Sequence, residues 1–154
     1  MEAKNFKAKA LIKDKEIDFE LDQLRGKKIL LYFYPKDLTS GCTIQAKNLT
    51  ENYEKLLAEG IEVVGVSKDS IEMHKKFACK ENIPFYLVSD EDLVVNKLYE
   101  VWGEKNMYGK KYFGTKRTSF LIDEDFNIVD VIKRPKTKEH YEEVKARFEG
   151  ALTS

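Results

Sequence analysis

The sequence predicts an α/β fold, a mixed central β-sheet flanked by helices, on three observations. Residues 29–34 are an unbroken apolar and aromatic run, the composition of a strand buried on both faces. A helical pattern then runs from about residue 40 to Gly60, and residues 61–66, IEVVGV, predict a second buried strand. Strand, helix and strand in this order are typical of a parallel crossover.

Composition limits what surrounds this core. The chain has 154 residues, 42% of them apolar, which suits one domain over residues 1–154. Lysine plus arginine and aspartate plus glutamate each number 27, so no net charge attracts nucleic acid or an anionic membrane. No apolar run approaches the roughly 20 residues of a membrane span, and the charged N-terminus lacks a signal peptide's apolar core. We therefore expect a cytoplasmic protein without a nucleic-acid or membrane partner.

The N-terminal segment predicts a β-hairpin. Residues 6–12 and 16–21 alternate between apolar and polar side chains on either side of a turn at residues 13–15. Gly26 marks the turn into the central strand. Pro35 ends that strand because proline lacks a ladder donor and disfavours helical geometry before it.

Shorter elements follow the crossover. A second helix is expected from Asp69 or Ser70 to Asn82, then a strand at residues 85–88 and a helix at residues 90–99 whose acidic start suits its N-terminus. Residues 101–116 contain three glycines and lack a helical or strand period, which predicts a long loop.

The C-terminal part predicts an antiparallel hairpin and a final helix. The hairpin joins residues 117–122 and 127–132 around an acidic turn. Thr137 can cap the last helix. Its apolar face is expected to consist of Tyr141, Val144, Phe148 and Leu152.

Cys42 is placed in the first turn of the helix after the central strand, because Thr39 or Ser40 can act as its N-cap. Unpaired amide groups and the positive end of the helix dipole favour a thiolate there, which is the reactive form of cysteine. Taken alone, this cysteine could equally be a buried structural residue.

The residues before Cys42 favour a catalytic role over a structural one. Pro35, Thr39 and Cys42 form the pattern P-x-x-x-T-x-x-C directly after a buried strand. Here the sequence resembles the peroxiredoxins, and YFYPKDLTSGCT is close to the active-site segment of their bacterioferritin-comigratory, or PrxQ, branch. The segment VWGEKNMYGKKYFGTKRTSFLID at residues 101–123 extends the resemblance, which covers most of the chain from Gly26 onward.

The resemblance implies a thioredoxin-like fold and the reduction of peroxides. Cys42 would attack one peroxide oxygen and become a sulfenic acid. Thr39 matches the residue whose hydroxyl hydrogen-bonds the thiolate and the peroxide, Arg117 matches the arginine that stabilises the thiolate and the shifting charge, and Pro35 matches the shielding proline. Read singly, these residues are also a cap, a solvated charge and a strand terminator.

The sequence departs from the family pattern at two places. Ser40 stands where these enzymes usually have a proline, which removes no catalytic group. Lys47 occupies the position, five residues after the reactive cysteine, where many members have a resolving cysteine. A second subgroup uses a cysteine in the following helix, and Cys79 lies in the matching segment.

Helical geometry gives an independent view of Cys79. Ile71, Met73, Phe77 and Ala78 define the apolar face of the second helix, whereas Cys79 clusters with Glu72, Lys75 and Lys76. Cys79 should therefore face solvent, either as a tolerated surface thiol or as an attacker whose thiolate the two lysines favour.

No cofactor or metal is predicted. Cys42, Cys79, His74 and His140 show no structural-zinc spacing, so the two histidines are expected to be surface helix residues. Gly103, Gly109 and Gly114 have no phosphate-loop arrangement.

The favoured function is a thiol-dependent peroxidase that reduces hydrogen peroxide and organic hydroperoxides, as a monomer. Its Cys42 sulfenic acid would be resolved by Cys79 as an intramolecular disulfide and recycled by thioredoxin. Alternatives are a one-cysteine peroxidase resolved by an external thiol, and a redox sensor or binding protein without turnover. A thioredoxin-type reductase is disfavoured because Gln45, not cysteine, stands three residues after Cys42.

Overall fold

The computed structural model describes residues 1–153, apart from the side chains of Met107, Leu152 and Thr153. The elements in chain order are β1 (Lys7–Ile12), β2 (Lys15–Glu20), a 3-10 turn (Leu21–Leu24), β3 (Lys28–Phe33), α1 (Ser40–Glu51), α2 (Tyr53–Ala58), β4 (Ile61–Ser67), α3 (Ile71–Glu81), β5 (Tyr86–Ser89), α4 (Val94–Leu98), β6 (Trp102–Met107), β7 (Lys110–Thr115), β8 (Thr118–Ile122), β9 (Ile128–Lys133), a 3-10 turn (Thr137–Glu139) and α5 (His140–Thr153). Among these described helices, none is long and apolar enough to cross a membrane.

The main sheet is mixed, as the sequence predicts. Within the described residues it has seven strands in the order β2-β1-β5-β4-β3-β8-β9. The strands β3, β4 and β5 pair in parallel, whereas β1 pairs antiparallel with β2 and β5, and β8 with β3 and β9. The parallel crossover from β3 to β4 and both predicted hairpins of this sheet are confirmed.

Strand β3 is buried on both faces, which explains its unbroken apolar sequence. Leu30 and Tyr32 belong to a core cluster with residues of α1, α3 and α5. Ile29, Leu31 and Phe33 belong to a second cluster with residues of α4 and the N-terminal segment. Helices therefore cover the sheet on both sides, and the chain leaving β3 emerges between two cores.

The helix predicted between residues 40 and 60 is interrupted. It consists of α1 and α2, separated by Asn52, whose backbone leaves helical geometry (φ −108°, ψ 8°). The Asn52 amide donates to the Asn48 carbonyl at 2.8 Å, and asparagine side chains of this kind compete with helical backbone bonds. Gly60 ends the second segment at φ +78°, as predicted.

The long loop predicted over residues 101–116 is wrong, because β6 and β7 form a separate antiparallel hairpin there. Tyr108 and Gly109 make its turn, and both have positive φ angles, of 52° and 80°. Gly103 lies opposite Gly114 in the register. Glycine and lysine are depleted in strands, so they conceal the strand pattern in the sequence.

Two helix starts also differ from expectation. Thr137 lies inside a 3-10 turn and does not cap the last helix, which begins at His140. The helix predicted at residues 90–99 is reduced to α4, and the Asp90 carboxylate accepts the Val95 and Asn96 amide N–H groups from outside it. On α5 the predicted apolar positions Tyr141, Val144 and Phe148 are buried, whereas the side chain of Leu152 lies outside the described residues.

Gly65 on β4 is required by its neighbour on β3. It lies beside Tyr32 in the parallel register, and a Cβ added to it would come within 3.1 Å of the Tyr32 ring and hydroxyl. We expect Gly65→Ala to lower the free energy of unfolding by about 1–3 kcal/mol through overpacking, measured by urea denaturation. Gly150→Ala on α5 is the matched control, because a Cβ there meets no atom within 4 Å, and it should be neutral or stabilising. Equal stability of the two variants would contradict the packing argument.

Candidate active site

Cys42 lies in the first turn of α1, as predicted, and its side chain is buried, with 2% of the residue exposed. Thr39 is the N-cap residue in an extended conformation, but its side chain caps no helical amide. Its hydroxyl instead donates to the Lys36 carbonyl oxygen at 2.9 Å. The predicted N-cap position at Thr39 is therefore confirmed, but its exposed hydroxyl makes no cap hydrogen bond and is held in the loop before Cys42. Pro35 begins that loop and is half-buried.

Arg117 reaches Cys42 although 75 positions separate them in the sequence. It precedes β8, which pairs antiparallel with β3 and so returns to the end of the strand that leads to α1. The Arg117 Nη2 lies 3.4 Å from the Cys42 Sγ and donates to it. A Cβ at Gly41 would come within 3.2 Å of the same nitrogen. Glycine at that position therefore lets the guanidinium approach the sulfur.

Gln45 is a site residue that the sequence reasoning did not identify. It is fully buried, and its Oε1 accepts a hydrogen bond from Arg117 Nη1 at 2.5 Å. The guanidinium is thus held by Gln45 through one nitrogen while the other faces Cys42. The available signal was spacing, since residues three apart on a helix share a face.

His140 lies behind Gln45, and the expectation that it is a surface residue is wrong. It is fully buried, with Nδ1 at 3.1 Å from Gln45 Nε2 and Nε2 at 2.7 Å from Ser119 Oγ. Burial lowers the pKa of His140 to about 3, and the positive charge of Arg117 acts in the same direction. Its spacing of four from Val144, on the apolar face of α5, is the signal that could have revealed it.

His74, the other histidine expected at the surface, is also buried. Its Nδ1 lies 2.5 Å from Asp37 Oδ2 and its Nε2 lies 2.9 Å from the Val88 carbonyl oxygen. Because both nitrogens face acceptors, the ring is a charged imidazolium. Burial opposes this charge, but the hydrogen bond and negative charge of Asp37, with the Val88 carbonyl, raise the pKa of His74 above its ordinary value.

The Asp37–His74 pair anchors the loop that carries Pro35 and Thr39 to α3. Asp37 also accepts from the Tyr34 hydroxyl at 2.6 Å, and its backbone N–H donates to the Asp69 carboxylate at 2.8 Å. Breaking a buried pair of this kind leaves an uncompensated charge, so the loop is firmly held.

Cys79 is exposed on α3, as predicted, and both cysteines are free thiols. The face opposite Cys79 is not quite the expected one, because Met73 is only half-buried and His74 takes its place beside Phe77. Two residues after Cys79, Glu81 pairs with Lys47 of α1 at 3.6 Å. The structure therefore brings Arg117 to Cys42 and leaves the second thiol on the surface.

Lys105 of β6 supplies a second cation near the site. Its Nζ donates to the Thr115 carbonyl oxygen at 3.0 Å. Burial lowers the pKa of Lys105, and so does the charge of Arg117, whereas Cys42 acts in the opposite direction. Together, the burial of the Cys42 sulfur, its place in the first turn of α1 and its contact with the Arg117 guanidinium suit a nucleophilic thiolate.

Comparison with known proteins gives one consistent result. The AhpC/TSA family profile matches residues 1–131. Peroxiredoxin Bcp of Escherichia coli strain K12 is 45% identical over 124 residues, 80% of this chain and 80% of that protein. A cysteine-to-serine mutant of peroxiredoxin Q from Xanthomonas campestris superposes with a TM-score of 0.86 at 30% identity, covering 94% of this chain and 90% of that chain. The bacterioferritin comigratory protein of that organism, solved in a study of its alkyl peroxide reduction activity, gives a TM-score of 0.85 at 29% identity, covering 95% and 92%. These neighbours confirm the thioredoxin-like fold.

Because His140 is buried and neutral, we expect the protein to lose stability in acid. Its folded pKa of about 3 lies below the ordinary value of 6.5, so between these values the unfolded chain binds a proton that the folded chain does not. Stability from this residue is therefore present above pH 6.5 and falls as the pH drops towards 3, by up to roughly 5 kcal/mol.

Urea denaturation from pH 7 to pH 3.5 measures the effect. In His140→Asn, which has no ionisable ring, the loss of stability with falling pH should be smaller than in the wild type. His74 acts in the opposite direction because its pKa is raised in the folded protein. Its contribution to the free energy of unfolding is fully present below pH 6.5 and is lost as the pH rises through the folded pKa. Parallel losses in the two proteins would refute the neutral assignment.

Proposed function

The chain belongs to the AhpC/TSA family, as a thiol-dependent peroxidase of the Bcp/PrxQ branch, and we propose that Cys42 is the thiol that attacks the peroxide. The observation that carries this proposal is the 3.4 Å contact between Arg117 Nη2 and the Cys42 sulfur. A guanidinium at that distance stabilises a thiolate. Cys42 is buried beside it, whereas the other cysteine, Cys79, is exposed.

The proposed reaction is a displacement at oxygen. The Cys42 thiolate bonds to one peroxide oxygen, the O–O bond breaks, and the leaving oxygen takes a proton to give water or an alcohol. Cys42 becomes a sulfenic acid, and the peroxide is reduced. Arg117 would stabilise the charge that moves from sulfur to the leaving oxygen. Thr39 would turn its hydroxyl from the Lys36 carbonyl towards the peroxide, and Pro35 would shield the sulfur from water.

The proposed substrates are hydrogen peroxide and organic hydroperoxides. The alkyl peroxide reduction activity named for the Xanthomonas campestris protein supports the second class. The family also implies a thiol reductant, and we propose that this reductant is thioredoxin and that the enzyme works as a cytoplasmic monomer.

The role of Cys42 predicts a clear difference between its two serine variants. With excess dithiothreitol, which can reduce a sulfenic acid directly, Cys42→Ser should lose at least 99% of hydrogen peroxide consumption because a hydroxyl forms no accessible anion at neutral pH. Cys79→Ser is the matched control and should keep most of its rate. Peroxide loss followed over time measures both. If Cys42→Ser retained more than a few per cent of the rate, Cys42 would not be the thiol that attacks the peroxide.

Cys79 is our proposed resolving cysteine. It is exposed on α3, and no other thiol is present in the chain. Lys75 and Lys76 are exposed one turn earlier on the same helix. Cys42 is buried whereas Cys79 is exposed, and a disulfide requires Cα atoms within about 7 Å, so we expect a helix that carries one of the cysteines to unwind locally.

The contacts of α3 support unwinding from its C-terminal end. Asn82 ends the helix in a left-handed conformation, and helix ends open at low cost. Beyond Cys79, the Lys47–Glu81 pair joins a lysine that is 59% exposed to a glutamate that is only 5% exposed. Unwinding would return that carboxylate to water, which offsets part of the lost pairing. Before Cys79, buried Phe77 and the His74–Asp37 pair hold the first turns. Opening is therefore expected between Phe77 and Asn82.

The proposed disulfide can be tested with one equivalent of hydrogen peroxide. Wild-type enzyme should lose both free thiols and become a monomer lighter by two hydrogens, with Cys42 and Cys79 peptides crosslinked in mass spectrometry. Cys79→Ser should lose turnover with thioredoxin while keeping it with dithiothreitol. A stable sulfenic acid on Cys42 beside a free Cys79, or full thioredoxin turnover in Cys79→Ser, would instead indicate a one-cysteine cycle.

A further inference from the structure

A continuous chain of buried polar groups runs from the Cys42 sulfur into the core. Arg117 donates to the sulfur and to Gln45 Oε1, Gln45 Nε2 meets His140 Nδ1, and His140 Nε2 meets Ser119 Oγ. We propose that His140 is a positioning residue for peroxide reduction, which fixes the orientation of the Gln45 amide and through it the guanidinium of Arg117.

Only one orientation of the Gln45 amide satisfies both of its hydrogen-bond partners, Arg117 and His140. Arg117 offers N–H groups and has no acceptor, so Gln45 must turn its oxygen towards the guanidinium. Its NH₂ group then points at His140 Nδ1, which must accept. A neutral imidazole with an accepting Nδ1 carries its proton on Nε2 and donates it to Ser119 Oγ. The flipped amide would turn its NH₂ group to the guanidinium and its oxygen to His140, so an accepting Nδ1 on His140 favours the orientation that Arg117 needs.

The surroundings of His140 keep the ring in this neutral form. The Tyr32 ring of β3 meets it edge-on at 5.6 Å between centroids, and Ser119 and Gln45 contribute uncharged groups from β8 and α1. Arg117 is the charged group that acts on the ring, and it has the sign that opposes protonation. Burial works in the same direction and lowers the pKa of His140 to about 3. The accepting nitrogen is therefore available throughout the neutral range.

This inference rests on the proposed roles of Cys42 and Arg117. Loss of the acceptor at residue 140 should let the Gln45 amide rotate, and the guanidinium would lose its fixed position beside the sulfur. A displacement of about 1 Å in a positioning group can reduce rate as much as a hundredfold.

Three variants on α5 test the inference through kcat/KM for hydrogen peroxide with dithiothreitol as reductant. His140→Phe removes both ring nitrogens and should lower kcat/KM by between about tenfold and a hundredfold. His140→Asn retains an oxygen near the Nδ1 position and should stay within about threefold of the wild type. Tyr141→Phe is the matched control for the docking of α5, because it removes only a hydrogen bond to Glu59 at 3.2 Å, and its rate should be unchanged.

A double-mutant cycle separates positioning from general damage. If His140 acts through Arg117, His140→Phe should reduce the rate by less than about twofold in an Arg117→Ala background. Equal fold-losses in both backgrounds, a wild-type rate in His140→Phe, or equal losses in His140→Asn and His140→Phe would each overturn the inference.

A measurement without turnover covers the case in which His140→Phe does not fold. Long-range proton–nitrogen NMR spectra of the wild-type enzyme at pH 7 should place the ring proton of His140 on Nε2 and leave Nδ1 bare. A charged ring or a proton on Nδ1 would overturn the inference. Activity that persists in Cys42→Ser would refute the proposed function instead and would leave this NMR result unaffected.

Discussion

The contact between the Arg117 guanidinium and the buried Cys42 sulfur is the interaction on which the site depends. A thiolate removed from water is costly unless a partner charge and hydrogen bonds accompany it. The guanidinium is close enough to provide both, at 3.4 Å. Gly41 leaves room for its approach, and its second nitrogen donates to the oxygen of Gln45. Gln45 holds that cation directly, and His140 contacts Gln45 from behind.

The two histidines show that the same buried side chain can be charged at one place and neutral at another. His74 faces a carboxylate and a carbonyl oxygen, so it is protonated and anchors the loop between β3 and α1. His140 faces an amide N–H and a hydroxyl beside Arg117, so it is neutral and orients Gln45. The hydrogen-bond partners decide whether each ring is charged, since both rings are equally removed from solvent. One histidine therefore holds the backbone of the site and the other its cation.

The two ends of helix α3 are held by different contacts. Its first turns are tied to the active-site loop by the buried Asp37–His74 pair. Its last turn ends at a left-handed Asn82 and is joined to α1 by a pair between an exposed lysine, Lys47, and Glu81, whose side chain is 5% exposed. The resemblance described above places a resolving cysteine at position 47 in many members, and this chain has a lysine there. That lysine contacts the helix that carries Cys79. This division would allow local opening without loss of the loop that positions Cys42.

The sequence by itself determined the elements that depend on local patterns. The run in β3 is apolar throughout because both of its faces are buried, Pro35 ends it, and helical spacing places Cys42 in a first turn and Cys79 on a solvent face. The β6–β7 hairpin was missed because its glycines and lysines hide strand alternation. Tertiary structure alone decided the roles of Gln45, His74 and His140. Their partners come from distant segments, and a side chain's charge and orientation depend on the acceptors and donors that folding brings against it.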